Sequence, residues 1–438
     1  MTSLSLRFIW QIIAVTLLIS VPARADEWPQ WGGPQRDIVW RETAIVENLP
    51  AGKLPRMWSK PIGGGYAGPA VADGRVFVAD RPAEEDVERV LCFDAADGSE
   101  LWAQEYIAAY SISYPVGPRV TPTVDGNRVY ALGAVGHLFC LSADKGEVIW
   151  QKHLPTDFGT KLPTWGMAAA PLVDGEQLIV LVGGADGSLV VSFNKQTGEE
   201  LWRSLEDPAV GYAPPVIYEF GGRRQLIIWH ASAVSSLDPD TGKVLWEHPF
   251  IVREALTVAT PRKIGERLFV ASFYEGPLML DLGADGVTPT IGWSAPAGEN
   301  ELHNTSIHTI MPTPFGNERS IYGVSSYGQL RCIDAATGKM VWETREATGE
   351  GRWWNAFLIP HGDASGRRVF LANEQGQLIL ADLSGDGYRE LGRAELIEPL
   401  QPIQRRKTVW SHPAFAMESV FARNDQELIR VSLAETPK

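Results

Sequence analysis

The sequence predicts an all-β protein, an eight-bladed β-propeller of four-stranded antiparallel blades. Three observations carry this: a recurring hairpin, a tryptophan spacing in the forties, and two chain ends that complete one another. The hairpin is clearest from Ile333 to Trp342, IDAATGKMVW. Four relatives precede it: Phe93 to Trp102 (FDAADGSELW), Leu141 to Trp150 (LSADKGEVIW), Phe193 to Trp202 (FNKQTGEELW) and Leu237 to Trp246 (LDPDTGKVLW). Each reads as an apolar strand end, a polar residue, a turn ending in glycine and a second strand ending in tryptophan. The tryptophan is too large and too regularly placed for a loop. It is expected to wedge between neighbouring units.

Taken as a ruler, Trp58, Trp102, Trp150, Trp202, Trp246, Trp293 and Trp342 stand 44, 48, 52, 44, 47 and 49 residues apart. A period in the forties built from short strands is that of a propeller blade and not of a helical solenoid. Upstream of the tryptophan hairpins lie second hairpins, such as GPAVADGRVFVAD from Gly68 and TPTVDGNRVYALG from Thr121. Each unit is therefore four strands. Seven complete units run to about Leu391, where the tryptophan is lost. The stretch from Leu54 to Ile62 (LPRMWSKPI) looks like the last strand of a blade without its first three, and Trp410 to Leu433 supplies three strands without a last. Joining them closes the ring, hides two sheet edges and brings the count to eight.

Residues 1–25 are read as a secretory signal. Arg7 precedes an apolar run from Phe8 to Val21, and Ala23-Arg24-Ala25 offers a small-x-small cleavage site. The alternative, a membrane anchor, needs roughly 20 apolar residues, and this run is shorter. Residues 26–53 form an extended arm rich in Trp, Gly and Pro, either packed across the propeller or binding a partner. Residues 54–435 form the propeller. The protein is expected to be exported, to the periplasm or beyond, and to be a monomer with no transmembrane segment after signal removal. Of its 438 residues 45% are hydrophobic, enough for a large core. The net charge of −14 becomes −16 once Arg7 and Arg24 leave, a balance that repels nucleic acid at long range.

Cys92, Cys140 and Cys332 each lie six residues before a hairpin glycine, in a slot that holds Ser192 and Ser236 in two other units. The slot is read as a small-residue packing position, on blades too far apart for disulfides. Two degenerate units carry Asp-Leu-x-x-Asp-Gly, through Asp281 with Asp285 and Asp382 with Asp386. A calcium loop needs a closing acid at its twelfth position, where Gly292 and Arg393 stand, so ordinary Asp-Gly turns account for both. No metal site is expected there. His303, His308 and His412 lie near the starts of inner strands and form either a polar lining or a metal pair across the channel. There is no H-E-x-x-H, no G-x-x-x-x-G-K-[ST], no G-x-S-x-G and no C-x-x-C.

Residues just before each inner strand form a ring at the channel mouth. Round the chain this position reads Tyr66, Arg119, Trp165, Tyr212, Thr257, His308, Trp353 with Trp354, and Trp410 with His412. Aromatic faces with a few directed polar groups suit a sugar ring, a peptide segment or a planar ligand. The same residues also suit a packed cap of the funnel. Both readings stand at the level of sequence.

The hairpins ending in Trp102, Trp150, Trp202, Trp246 and Trp342 resemble the repeats of the pyrroloquinoline-quinone (PQQ)-like propellers. That superfamily includes the quinoprotein alcohol dehydrogenases and the propeller lipoprotein of outer-membrane protein assembly. The resemblance covers nearly all of the mature chain. The opening WPQWGGPQRD and the closing WSHPAFA and VFARND are similar to exported bacterial proteins of this class. For a dehydrogenase the resemblance implies adjacent cysteines over the quinone, a calcium held by Glu and Asn, and a catalytic Asp. Here no two cysteines are adjacent, there is no C-x-x-C-H, and acids in the channel-facing stretches are few. No catalytic residue and no cofactor is therefore expected, PQQ included. The expectation is an exported, non-catalytic binding or scaffolding propeller of the cell envelope, engaging a protein or glycan partner through the mouth. The alternative is a PQQ-dependent oxidoreductase with an atypical site.

Overall fold

A computed structural model describes residues 27–296, 304–362 and 367–435; residues 1–25, read from sequence as a signal, and His303 lie outside them. Eight antiparallel sheets follow one another along the chain, each at least four strands wide. The first blade is built from Ala70–Ala72, Arg75–Asp80, Val87–Asp94 and Glu100–Ile107, in that spatial order. Six more repeat the plan, with inner strands starting at Thr123, Leu172, Val216, Arg262, Phe315 and Ala356. The eighth pairs Arg56–Pro61 antiparallel with Glu427–Ser432, so the two chain ends close the ring as the sequence implies. The described helices are Leu154–Phe158 and a single 3₁₀ turn, Arg253–Ala255.

The tryptophan ruler lies on the outermost strand of seven of the eight blades, and its side chains join one blade to the next. The indole N–H of Trp58 donates to the Ala95 carbonyl at 3.0 Å, Trp102 to Ala143 at 2.9 Å, Trp150 to Lys195 at 3.1 Å, Trp293 to Ala335 at 3.0 Å and Trp342 to Ser384 at 2.7 Å. Each acceptor belongs to the hairpin turn of the following blade. The motif glycine is explained by the same contact. At Gly242 a Cβ would lie 2.4 Å from the Trp202 ring, and the φ of +70° already disfavours a side chain.

Blades three and four make this joint differently, and here the reading of the cysteine slot as mere packing is corrected. The Trp202 and Trp246 indoles donate to Gln177 and Gln225 at 2.7 and 2.8 Å. Ser192 and Ser236, in the slot, donate to the same two oxygens, both at 2.7 Å. Each glutamine amide then donates to the next blade, Gln177 to Pro239 and Gln225 to Gly286. Serine is therefore a hydrogen-bonding member of the joint. Where the slot holds Cys, it faces Phe77, Tyr130 or Tyr322 across the sheet; where it holds Ser, it faces Ile179 or Ile227. Gln225 is fully buried. Gln225→Leu, which strands the Trp246 N–H and the Ser236 hydroxyl, is expected to cost about 2 kcal/mol, read as a lower urea midpoint at unchanged slope.

The seventh blade has Gly392 where the others have tryptophan. Its vacancy is filled by the arm: a Cβ there would meet the Leu49 carbonyl at 2.5 Å, and Gly52–Lys53 adds a parallel fifth strand to the blade edge. Leu49 and Leu54 are buried with Leu380, Ala394 and Val431 in one core cluster. Further upstream the arm threads the channel instead of crossing the outside. Trp28 exchanges backbone hydrogen bonds with Val71, Pro29 accepts from Val124, and Trp40 donates to Pro360. Arg36, buried, donates to the Pro171 and Ala170 carbonyls at 3.0 and 3.1 Å, and Trp31 donates to Thr260 at 3.0 Å. All these partners lie on or beside inner strands, beyond the mouth. The arm therefore plugs the channel from below.

Candidate functional site

The inner strands run away from one face of the ring, so the loops that feed them gather at that face. Above the arm they line a half-open cavity of about 220 Å³. Seven of the residues placed in the mouth by sequence line it: Tyr66, Arg119, Trp165, Tyr212, Trp353, Trp410 and His412. Trp165 and Tyr212 meet edge to face at 5.9 Å, and Tyr114 lies 6.0 Å from Trp410. The Trp410 indole N–H is anchored on buried Glu374 at 2.9 Å.

His308 and Trp354 do not belong to this site, which corrects their placement. Trp354 points back between the sixth and seventh blades, 2% exposed, packed with Phe315, Tyr322 and Leu371. Its neighbour Trp353 takes a φ of +62°, and that left-handed residue turns the two indoles to opposite sides. His308 is 1% exposed, its ring nitrogen 3.3 Å from the Phe273 carbonyl, and burial pushes it down to about 4. Thr257 is buried between Leu256 and Val258, which line the cavity in its stead. His412 is at the cavity but not beside His308. Its Nε2 lies 2.6 Å from the Thr121 hydroxyl, its ring stands 4.3 Å edge-on to Trp31, and burial pushes it down to about 4. It is a neutral wall.

Residues missed in the sequence include Trp31, which comes up from the arm as the floor, and Tyr114, Tyr274 and Phe357. Tyr274 follows the second strand of its blade, Arg267–Ser272. That strand ends at the same face as the start of the inner strand, so aromatics in this connection are a readable signal.

Arg119 is the charged residue among those lining the cavity. It donates to the carbonyls of Gly117, Ser113 and Tyr114 at 2.5 to 2.7 Å and lies 5.1 Å from the Tyr66 ring centre. Burial lowers its pKa from the ordinary guanidinium value. Glu88, whose field reaches it, is occupied by the hydroxyls of Tyr106 and Tyr110 and the Ala134 amide. Burial raises the phenol of Tyr66 and pushes that of Tyr212 up to about 12.

The fit to PQQ and calcium is poor. A tricarboxylated quinone with a bound calcium needs several cations and oxygen ligands, and the lining contains no Asp, Glu, Asn or Gln. The three cysteines are buried in three separate blades. Among the described residues no group of three or more His, Cys, Asp or Glu is placed to hold a metal. Asp285 caps its own turn through Val287 and Thr288, and Asp382 pairs with Arg389. Elsewhere the fold assembles a serine, histidine and aspartate that sequence motifs do not reveal. His230 lies 2.6 Å from Asp207 and 2.9 Å from Ser235. Ser235 is fully buried within a strand and also donates to Glu247, so the three tie a blade together and reach no substrate.

Comparison with known proteins agrees with this geometry. The family model described as outer membrane protein assembly factor BamB matches residues 34–116 and 86–344. A protein of that name from Moranella endobia is 30% identical over 382 residues, covering 80% of this chain and 86% of its own. One from Shewanella oneidensis is 23% identical over 349 residues, 74% of this chain and 79% of its own. The crystal structure of quinohemoprotein alcohol dehydrogenase from Comamonas testosteroni superposes with a TM-score of 0.62 at 14% identity, over 94% of this chain and 81% of that one. This last likeness is one of fold.

Proposed function

This chain belongs to the PQQ-like propeller family described as outer membrane protein assembly factor BamB, and from that premise we propose that it is a non-catalytic scaffold of the bacterial envelope. It is exported, faces the periplasm, and holds a protein partner engaged in outer-membrane assembly without a resident quinone. The observation that carries the reading is the mouth: an aromatic cavity whose lining supplies no carboxylate base and no cluster of metal ligands. A glycan is the weaker partner, because sugar hydroxyls are usually met by side-chain carboxylates and amides, which the wall lacks. An oxidoreductase would have one imidazole here, His412, already engaged by the Thr121 hydroxyl, and no carboxylate beside it to take a proton from an alcohol.

Site-specific photo-crosslinking tests this. A benzophenone side chain at Tyr114, on the mouth, is expected to give a discrete polypeptide adduct in envelope fractions. The same probe at Val244, an exposed outer-strand position, serves as the control. No adduct from Tyr114, or an identical adduct from Val244, overturns the mouth as the partner site.

A further inference from the structure

Resting on the reading of the mouth as a partner site, we propose that the cavity seats one aromatic side chain of a peptide segment whose neighbouring carboxylate is held by Arg119. Size is the first argument. Small-molecule sites enclose roughly 300–1,000 Å³, and this cavity, at about 220 Å³, has room for a side chain and its backbone. Shape and polarity agree. Trp165, Tyr212 and Trp353 present ring faces and edges, which pack on another ring better than on an aliphatic chain.

The polar atoms decide the rest. Arg119 bonds three carbonyls and no carboxylate, so its charge is not neutralised by a direct partner. A guanidinium is a donor only, so the group that satisfies it is an acceptor without protons. A carboxylate is that group, whereas an amine adds a donor. Charge points the same way. On a chain of net charge −14 an acidic segment is repelled by the surface at large, and here it meets Arg119 and, at the rim, Arg253 stacked 4.4 Å over Tyr274.

Calorimetric titration tests the assignment with N-acetyltryptophan against N-acetyltryptophanamide, and with the capped peptide acetyl-Gly-Trp-Asp-Gly-amide against its Asn counterpart. In each pair the carboxylate is expected to bind about tenfold tighter, the worth of one charge-assisted hydrogen bond. Arg119→Met should erase the difference. Where that variant melts early, Arg119→Lys serves instead: it keeps the charge, loses the planar fork, and should narrow the gap with folding intact. Equal affinity within each pair, or no binding of any probe, overturns the proposal. Binding of N-acetyltryptophan without either peptide overturns it in favour of a free aromatic acid. Probes that fail while the Tyr114 adduct persists sink the ligand chemistry alone; probes that bind without an adduct support it and sink the envelope partner.

Discussion

Trp354→Ala is expected to lower the unfolding free energy by about 3–5 kcal/mol, the usual loss for a large buried aromatic. Trp353→Ala, one residue away, is expected to leave the melting temperature nearly unchanged. The reasoning is geometric. Trp354 fills the wedge between the sixth and seventh blades, with Gly349 against its ring at 2.9 Å from an added Cβ, so truncation leaves a cavity that neither blade can close. Trp353 lines an existing cavity and makes no hydrogen bond through its indole. Thermal and urea unfolding of the two variants in parallel check this. Equal losses in both would return Trp353 to the core and leave the mouth without its wall.

Acidification should weaken the fold well before the carboxylates of an ordinary surface protonate. His308 and His412 are buried, and in the folded protein both take a proton only near pH 4 instead of 6.5. The unfolded chain binds those protons near 6.5, so it is favoured as the pH falls between the two values. The stability is complete above pH 6.5 and is lost progressively down to about 4. At about 1.4 kcal/mol per unit, each histidine is worth roughly 3 kcal/mol across that window. His137, pushed down to about 4 by burial and by His153, acts in the same direction. Unfolding free energies measured from pH 7.5 to 4 should fall steeply in the wild type and less steeply in His308→Gln and His412→Gln. An unchanged slope in both variants would show that these imidazoles charge freely in the folded state.

The architecture was legible because its cause is local and repeated. Each Gly-x-x-x-Trp unit contains both halves of the inter-blade joint, and the tryptophan positions mark seven of the eight blades without reference to tertiary contacts. The closure of the ring was legible for the same reason, since Trp58 falls on the ruler. The site was legible in part. Counting back from each inner strand found seven lining residues because the loops converge, but it could not tell Trp353 from Trp354. Adjacent residues face opposite ways, and a single left-handed φ decides which of them meets the cavity. The floor was hidden for another reason. Trp31 belongs to a non-repeating arm, and nothing periodic says whether such a segment lies over the propeller or inside it. The glutamine joints of blades three and four were also beyond reach, since Gln177 and Gln225 matter only through partners on the next blade.

The pairing that seals the ring has a temporal side. Arg56 and Glu427 are held 2.8 Å apart though 371 positions separate them in the chain, and Val46 bonds to Leu433 in the same seam. Each blade from the first to the seventh can form as its own strands emerge, but the eighth must wait until almost the whole polypeptide is available. Until then, two unpaired strand edges face solvent. Loop-closure entropy of that span is incurred before the last contacts repay it, so refolding should end in a slow phase that depends on the seam and not on the blades. Beside other unfolded β-rich chains, that interval is when this protein is most exposed to mispairing with them.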